Sequence, residues 1–313
     1  MGLVAVTLGG HGPRPPPARL MRLIEPFGVG GGPDIVARAL AGPVSERVGS
    51  PVRVVNVPGA GSTAAPVLVL EAPADGDTLL INTSAHAYSA VFVRDLSYDP
   101  LKDFVAVAPL TIQAYVVVAG RRLGVGSLGE LVEAANAAPA ALRFGSTGVG
   151  TGTHVGTEEL NRTTGIDAVH VPADPSDAIT DVVAKAVRGD IDYVMSPISI
   201  AEGPLAAGDL VALGVTTAQR SQALPDVPTV AEAGAAGYDF PIWYGAWAAA
   251  GTPPSVIDAL THDIVAAVAD PDVSATLTAH GMQPLNMTRE QFTHFLDNEV
   301  LRAARIVGGQ RPR

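Results

Sequence analysis

The sequence predicts an α/β protein built from two lobes that face each other across a cleft. Strand-like and helix-like segments alternate with short loops, a pattern typical of open, largely parallel sheets. Two glycine-rich strand-to-helix turns, near residues 30 and 149, begin two similar blocks. The chain is expected to pass between the blocks twice, near 113–120 and 238–248, and two such crossings make a hinge.

The first block opens with a short strand, RLIEPF, which ends in the turn PFGVGGGPD at residues 26–34. Pro33 suits the first turn of the next helix, where its missing N–H costs nothing. Apolar residues then recur with helical spacing at Ile35, Val36, Ala39, Leu40 and Val44. A strand (PVRVVNV), a helix (GAGSTAAPVLVLEA) and a third strand (TLLINTS) complete this block.

The second block follows two consecutive strands, FVAVAPLTI and YVVVAG. A helix then starts at SLGELVEAANAAP, where a Ser N-cap and Glu130 form a capping box. The strand LRFGSTG leads into the second glycine-rich turn, STGVGTGTH. A helix, the strand DAVHV, another helix and the strands DIDYVMS and LVALGVT come next. Two amphipathic helices are predicted near the end of the chain.

These elements predict three parts: a disordered, proline-rich leader at 1–19, a first lobe of residues 20–115 plus 241–313, and a second lobe of residues 116–240. A secretory signal has a basic region before its apolar run, and no Lys or Arg precedes the apolar LVAV near the start. The sequence as written therefore predicts a cytoplasmic protein. A different N-terminus would leave a periplasmic location open.

Composition narrows the classes of partner. Of the 313 residues 47% are hydrophobic and 16% are charged, so a sizeable core is expected. The net charge of −11 argues against nucleic acid and anionic membranes as partners. A small anion can still bind, because local backbone dipoles dominate at short range. The absence of cysteine excludes disulfides, thiolate metal sites and a cysteine nucleophile.

Several segments between residues 21 and 308 carry a family resemblance: PFGVGGGPDIVARALA, VVNVPGAGS, DGDTLL, SYDPLKDFVAVA, GSTGVGTGTHVGTEEL, VHVP, LVALGVTTAQRSQALPDVPTVAEAG and AAAGTPPSVIDAL. In them the chain resembles the periplasmic solute-binding proteins of tripartite tricarboxylate transporters, the Bug-type receptors. The resemblance implies a type II periplasmic-binding-protein (Venus flytrap) fold with a two-strand hinge. It also implies a cleft that binds a small organic acid, and membrane transporter subunits as partners if the protein is exported.

In such receptors the loop after the first strand and the SxGxG loop of the second lobe together hold one carboxylate. Glycines allow the backbone to approach a ligand closely, and helix dipoles favour an anion. Trp243 either stacks on the ligand or packs at the hinge. The predicted ligand-binding residues are Gly30, Gly31, Gly32, Ser84, Ser89, Ser146, Thr147, Gly148, Gly150, Thr151, Ser196 and Trp243.

Several positions depart from the family pattern. Glu25 stands where an apolar residue is usual, and Pro33 replaces a threonine beside the third glycine. Ser89 and Ser196 replace amide or acidic residues. The stretch VPADPSD lacks the usual aromatic–lysine pair and adds Asp174 and Asp177. Binding of a dicarboxylate beside the cleft should therefore be disfavoured. The alternative interpretation of this stretch is a solvated loop that touches no ligand.

Glu25, His86 and His154 are the candidate catalytic residues. Partial burial would raise the pKa of Glu25 towards neutrality, as a general acid or base requires. Alternatively, Glu25 is exposed or paired with Arg22 or Arg53. His154 and Glu158 share a helix face, so a local hydrogen bond is the alternative to a catalytic role. His86 is either a cleft residue or a structural loop histidine. No metal site and no cofactor are predicted.

Three functions remain open. The first is binding of a small organic acid by a solute receptor. The second is a cytoplasmic enzyme, recruited from this fold, that performs isomerisation, elimination or cyclisation on a carboxylate or carbonyl substrate with Glu25 as acid or base. The third is a cytoplasmic ligand sensor that partners a regulator. The sequence does not identify the ligand.

Overall fold

Two β-sheets organise the protein in a computed structural model, which describes residues 20–59, 62–174 and 177–308. The predicted leader, residues 1–19, lies outside the described residues. The first sheet contains β1 (Met21–Glu25), β2 (Val52–Asn56), β3 (Thr78–Thr83), β4 (Phe104–Gln113), β10 (Ile242–Ala249) and β11 (Met282–Pro284). The second contains β5 (Tyr115–Gly120), β6 (Leu142–Ser146), β7 (Ala168–Pro172), β8 (Tyr193–Pro197) and β9 (Leu210–Val215).

Both sheets combine a parallel half with an antiparallel half. The order in the first sheet is β11-β4-β10-β3-β1-β2, with β1 parallel to β2 and β3, and β10 antiparallel to β3 and β4. The order in the second is β7-β6-β8-β5-β9, with β6 parallel to β7 and β8, and β5 antiparallel to β8 and β9. The strand after each connection between the sheets therefore supplies the antiparallel pairing.

Helices cover both faces of each sheet, as expected where parallel strands are buried on both sides. The described helices are α1 (Gly32–Val48), α2 (Ala64–Glu71), α3 (Ala85–Phe92), α4 (Leu128–Ala137), α5 (Gly152–Thr164), α6 (Ile179–Arg188), α7 (Ile198–Ala206), α8 (Pro254–Val268), α9 (Pro271–Ala279) and α10 (Arg289–Gly308). None of these combines the length and apolar character that crossing a membrane requires. We call the six-stranded sheet with α1–α3 and α8–α10 lobe 1, and the five-stranded sheet with α4–α7 lobe 2.

Two adjacent connections join the lobes. β4 ends at Gln113 and β5 begins at Tyr115, so a single residue separates the two sheets there. On the return path, Thr216 lies beside both connections: its N–H donates to the Tyr115 carbonyl at 2.9 Å, and its carbonyl accepts from Phe240 N–H at 2.7 Å. The predicted two-lobed α/β fold with a two-strand hinge is confirmed.

The strand β10 separates two layers of the core of lobe 1. Ile242 and Tyr244 belong to the large hydrophobic cluster on one face, whereas Trp243 and Trp247 belong to the cluster on the other face. Successive side chains of a strand point to opposite sides. This alternation decides which residues of FPIWYGAW can reach the space between the lobes.

Candidate ligand cleft

A cavity with an empty volume of about 530 Å³ lies between the two lobes. Its lining comes from the beginnings of three helices, the two lobe connections and the end of β3. The lining residues are Phe27, Gly28, Gly31, Gly32, Pro33, Thr83, Tyr115, Thr147, Thr151, Gly152, Thr153, Asp177, Ala178, Ile179 and Ile242. Among these described residues Asp177 is the single charged one.

On the side of lobe 1, the loop after β1 leads directly into α1. Gly31 is the N-cap of that helix and has no side chain to cap it, and Pro33 follows in the first turn. Gly32 is required for steric reasons, because a β-carbon there would lie 2.2 Å from the hydroxyl oxygen of Tyr244. The start of α1 therefore presents backbone N–H groups and the positive end of its dipole to the cavity.

A cluster of polar side chains on the buried side of this loop holds its backbone through hydrogen bonds. Glu25 Oε2 accepts a 2.8 Å hydrogen bond from Phe27 N–H, and Asp34 Oδ2 accepts one of 2.9 Å from Gly30 N–H. Asn56 Nδ2 donates to Glu25 Oε1 and, at 2.8 Å, to Asp34 Oδ1. Arg38 pairs with Asp34 at 2.8 Å. Two carboxyl groups thus hold the backbone of the loop in place.

Glu25 lies beneath the loop and not in the cavity wall, with a fully buried side chain. Neither arginine predicted as its partner contacts it: the parallel register places Asn56 opposite Glu25, and Arg22 donates to Thr78. Burial raises the pKa of Glu25 to about 8, with a further increase from the negative charge of Asp34 and partial compensation by hydrogen bonds from Phe27 and Asn56. Glu25 is therefore largely protonated at neutral pH.

On the side of lobe 2, the loop between β6 and α5 is held by neutral groups. Thr147 N–H donates to Thr153 Oγ1 at 3.1 Å, and the Thr151 hydroxyl donates to the Gly148 carbonyl at 2.7 Å. Thr151 is the N-cap residue of α5 but makes no capping bond. Positive φ angles at Gly148 (129°) and Gly150 (80°) shape the turn. The start of α5 consequently faces the cavity with uncapped N–H groups.

A third helix, α6, also begins at the cavity. Its N-cap is Ala178, which makes no side-chain cap. Asp177 precedes it, and its Oδ2 accepts a 2.7 Å hydrogen bond from Lys185 Nζ. A β-carbon at Gly28 would lie 3.9 Å from Ala178 Cβ, so the loop of lobe 1 faces the start of α6 closely.

The floor of the cavity is formed where the chain passes between the lobes. Tyr115 and Ile242, the first residues of β5 and β10, both line it. The hydroxyl groups of Tyr115 and Tyr244 are 3.4 Å apart, and Tyr244 donates to Gln113 Oε1 at 2.8 Å. The floor therefore combines apolar surface with a short chain of buried polar groups.

The structure brings part of the predicted site together. Gly31, Gly32, Thr147 and Thr151 line the cavity, and Gly148 lines an adjoining one. The other predicted ligand-binding residues are outside both linings: Gly30, Ser84, Ser89, Ser146, Gly150, Ser196 and Trp243.

Most of these excluded residues use their polar groups within the protein. Gly30 N–H donates to Asp34, and Gly150 N–H donates to His154 Nδ1 at 3.2 Å. The hydroxyl groups of Ser89 and Ser196 donate to the carbonyls of His86 and Pro197. Ser146 Oγ is 2.7 Å from His170 Nε2. Ser84 is fully buried, close to the start of α5.

Trp243 and His86 are not brought to the cleft. The indole of Trp243 lies on the far face of β10, donates to Glu299 Oε2 at 2.9 Å and packs against Phe292 and Phe295. The His86 ring is buried among aromatic side chains, 4.7 Å between ring centroids from both Phe104 and Trp247. Burial lowers the pKa of His86 to about 3, so the ring is neutral.

His154 belongs to a buried aromatic cluster next to the second glycine-rich loop. Its ring centroid lies 4.2 Å from that of His170 and 5.4 Å from that of Phe92. Burial, followed by the influence of His170, lowers its pKa to about 3; burial likewise lowers the pKa of His170 to about 4. His154 supports the Gly150 backbone and is also 3.7 Å from Glu158.

Several cavity residues were missed by sequence reasoning: Phe27, Gly28, Thr83, Tyr115, Gly152, Thr153, Ala178, Ile179 and Ile242. Gly152 and Thr153 directly follow the second predicted loop, so extending the loop into the helix start would have found them. Tyr115 and Ile242 could have been found as the first residues after each crossing. Ala178 and Ile179 follow the VPADPSD stretch, which the sequence already suggested was near the cleft.

Comparison with known proteins relates this cleft to a family. The sequence model of the tripartite tricarboxylate transporter family receptor matches residues 36–310. Protein BugT of Bordetella pertussis is 30% identical over 294 residues, covering 93% of this chain and 89% of BugT. A solved structure described as a periplasmic transporter is 33% identical, with a TM-score of 0.83 over 93% of this chain and 97% of its own.

A structure with a ligand is also similar. MatC from Rhodopseudomonas palustris with bound malate is 28% identical, with a TM-score of 0.84 over 93% of this chain and 99% of MatC. The fold is thus that of the periplasmic solute-binding proteins, and the predicted Bug-type resemblance is confirmed. The chain belongs to the tripartite tricarboxylate transporter receptor family.

Proposed function

We propose that this protein is a receptor that binds a small organic acid through its carboxylate between the two lobes. The observation that carries the proposal is the meeting of α1 and α5, from opposite lobes, with uncapped N-termini at one cavity. Helix N-termini bind anions through backbone N–H groups and the helix dipole. The hydroxyl groups of Thr147, Thr151 and Thr153 supply further hydrogen-bonding partners.

Binding is favoured over catalysis because the acid/base candidates lie outside the cavity lining. Glu25 fastens a loop, His86 is enclosed by aromatic rings and His154 supports a backbone N–H. The binding of malate by MatC, a relative across nearly the whole chain, gives further support. The family also supports delivery of the ligand to membrane transporter subunits, and its periplasmic members support an extracytoplasmic location. The predicted cytoplasmic location gains no support from these relatives.

Introducing a bulky side chain into the cavity lining tests the proposal. Isothermal titration calorimetry with a panel of small carboxylic acids should reveal binding to the wild type. Gly28→Trp should abolish it, because Gly28 lines the cavity and faces Ala178. Val29→Trp is the matched control: Val29 is the next residue of the loop, is 73% exposed and lies outside the cavity lining, so binding should persist.

Two outcomes contradict the proposal. One is equal binding by both tryptophan variants, which would place the ligand elsewhere. The other is recovery of a chemically altered acid after incubation with the protein, which NMR spectroscopy would detect and which would restore the enzyme hypothesis.

A further inference from the structure

A second cavity adjoins the first and extends the space available to a ligand. Its empty volume is about 390 Å³, and Phe27, Gly28, Thr147 and Asp177 line both cavities. Its other lining residues are Pro26, Pro58, Gly59, Ser62, Gly148, Ala173 and Asp174. The rest of a ligand whose carboxylate lies between α1 and α5 can therefore extend into either cavity, and Asp177 lines both.

The charges around these cavities disfavour a second anionic group on the ligand. Asp174 and Asp177 are the charged residues in the described lining, which includes no lysine, arginine or histidine. Lys185 lies outside the lining and is already bound to Asp177 at 2.7 Å. This hydrogen bond lowers the pKa of Asp177 below its usual range, so the carboxylate stays ionised at neutral pH.

The start of α6 is also occupied by an internal anion. Asp181 Oδ2 accepts a 2.8 Å hydrogen bond from the N–H of Ala178, the N-cap residue, so the charge of Asp181 meets the positive end of the dipole. The uncapped starts of α1 and α5 remain for the ligand, and they face each other from opposite lobes. This arrangement provides donors for one external carboxylate.

The rest of the first cavity suits an uncharged group. Phe27, Tyr115, Ile179 and Ile242 give it an apolar lining between the polar helix starts. Lys185 already gives Asp177 a hydrogen-bonding partner, so a cationic group on the ligand is not needed either. One lysine does not offset the charges of both Asp174 and Asp177, so this end of the cleft stays net negative.

From this geometry, and resting on the proposed carboxylate-binding function, we propose that Asp177 excludes a second carboxylate and that the ligand is a monocarboxylate with an uncharged remainder. Like charges brought together in a binding site reject the wrong partner. This preference would separate the protein from its relative MatC, whose malate carries two carboxylates.

Six-carbon acids that differ at one end provide the test. The dissociation constants of hexanoate, adipate and 6-aminohexanoate are measured by calorimetry, and the comparison is repeated with butyrate and succinate. We expect the wild type to bind each monocarboxylate at least about tenfold more tightly than its dicarboxylate partner. Asp177→Asn should reduce that ratio several-fold by improving dicarboxylate binding. Asp258→Asn, which removes an ion-paired aspartate on α8, should leave the ratio unchanged.

Three results overturn the inference while leaving the proposed function intact. They are equal or tighter binding of the dicarboxylates by the wild type, tighter binding of 6-aminohexanoate than of hexanoate, and a ratio that Asp177→Asn does not alter. If neither these acids nor the wider panel of carboxylic acids binds the wild type, both the inference and the proposed carboxylate-binding function fail.

Discussion

The two glycine-rich loops occupy equivalent positions in the two lobes but are held by different kinds of side chain. Each follows a parallel strand and starts a helix at the cleft. The loop of lobe 1 is fastened by Glu25, Asp34, Asn56 and Arg38, a cluster that contains charge. The loop of lobe 2 is fastened by hydroxyl groups and by histidines that burial keeps neutral. The stability of the first loop should therefore respond to pH, and that of the second should not.

Steric constraint also differs between the loops. A β-carbon at Gly32 would lie 2.2 Å from the Tyr244 hydroxyl and 2.8 Å from its ring carbons, and this ring is fully buried and bonded to Gln113. Gly32→Ala should lower the free energy of unfolding by about 1–3 kcal/mol through overpacking. It should also weaken carboxylate binding, because the start of α1 must move. Chemical denaturation and calorimetry measure the two effects.

Alanine substitutions at two other glycines test this steric argument. At Gly152 the nearest atoms to a β-carbon are the ends of the Ile242 and Ser84 side chains, at 2.5 and 2.9 Å, which can move more easily than a ring, so Gly152→Ala should destabilise less than Gly32→Ala. Gly129 lies in the first turn of α4, where a β-carbon would meet the Ser127 hydroxyl at an ordinary 3.8 Å, and Gly129→Ala should stabilise by about 0.5–1 kcal/mol. Equal losses at Gly32 and Gly129 would contradict the steric argument.

The pH response of the first loop depends on Glu25. Its pKa is about 8 in the folded protein, against 4.5 for a glutamate in water. The stabilisation from its protonated form is fully present below about pH 4.5 and is lost as the pH rises through about 8, since unfolding releases a proton in this interval. Stability should fall by roughly 1.4 kcal/mol per pH unit relative to Glu25→Gln, which cannot ionise.

Urea denaturation of the wild type and of Glu25→Gln from pH 4 to pH 9 measures this difference. The two curves should diverge across the interval in favour of the variant and run parallel above about pH 8. Curves that stay parallel throughout would mean that Glu25 has the same pKa in the folded and unfolded protein. Glu25 would then be ionised at neutral pH, and its protonated form would not stabilise the first loop.

The contrast between the loops also shows what the sequence could predict. The alternation of strands and helices and the spacing of glycines identified both loops and both lobes. The partner of Glu25 was not predictable, because it depends on the parallel register that places Asn56 beside it and not an arginine. In FPIWYGAW every residue is apolar or small and both faces of β10 are buried, so the pattern could not show that Ile242 faces the cleft and Trp243 the core.

The surroundings of His86 were not predictable for a similar reason. His86 follows the end of a strand, where cleft residues are common in α/β folds, yet Phe104 and Trp247, both distant in sequence, enclose it. Long-range packing of this kind leaves no local signal. The Asp177 side of the cleft, in contrast, was visible as a departure from the family pattern, because it changed charge and not just shape.

The smallest effect should come from the neutral network of the second loop. Thr153 Oγ1 accepts from Thr147 N–H and lies within 3.1 Å of the Thr151 hydroxyl. Thr153→Val removes this centre and should cost about 0.5–1.5 kcal/mol. Since the pKa values of His154 and His170 are about 3 and 4, the cost should be the same at pH 6 and pH 9. Thr163→Val, which removes a bond to the Glu159 carbonyl within the same helix, is the control and should cost less because that threonine is only partly buried. A Thr153→Val cost that changes by more than about 1 kcal/mol between these pH values would show that charge also reaches the second loop, and the distinction between the two lobes would be lost.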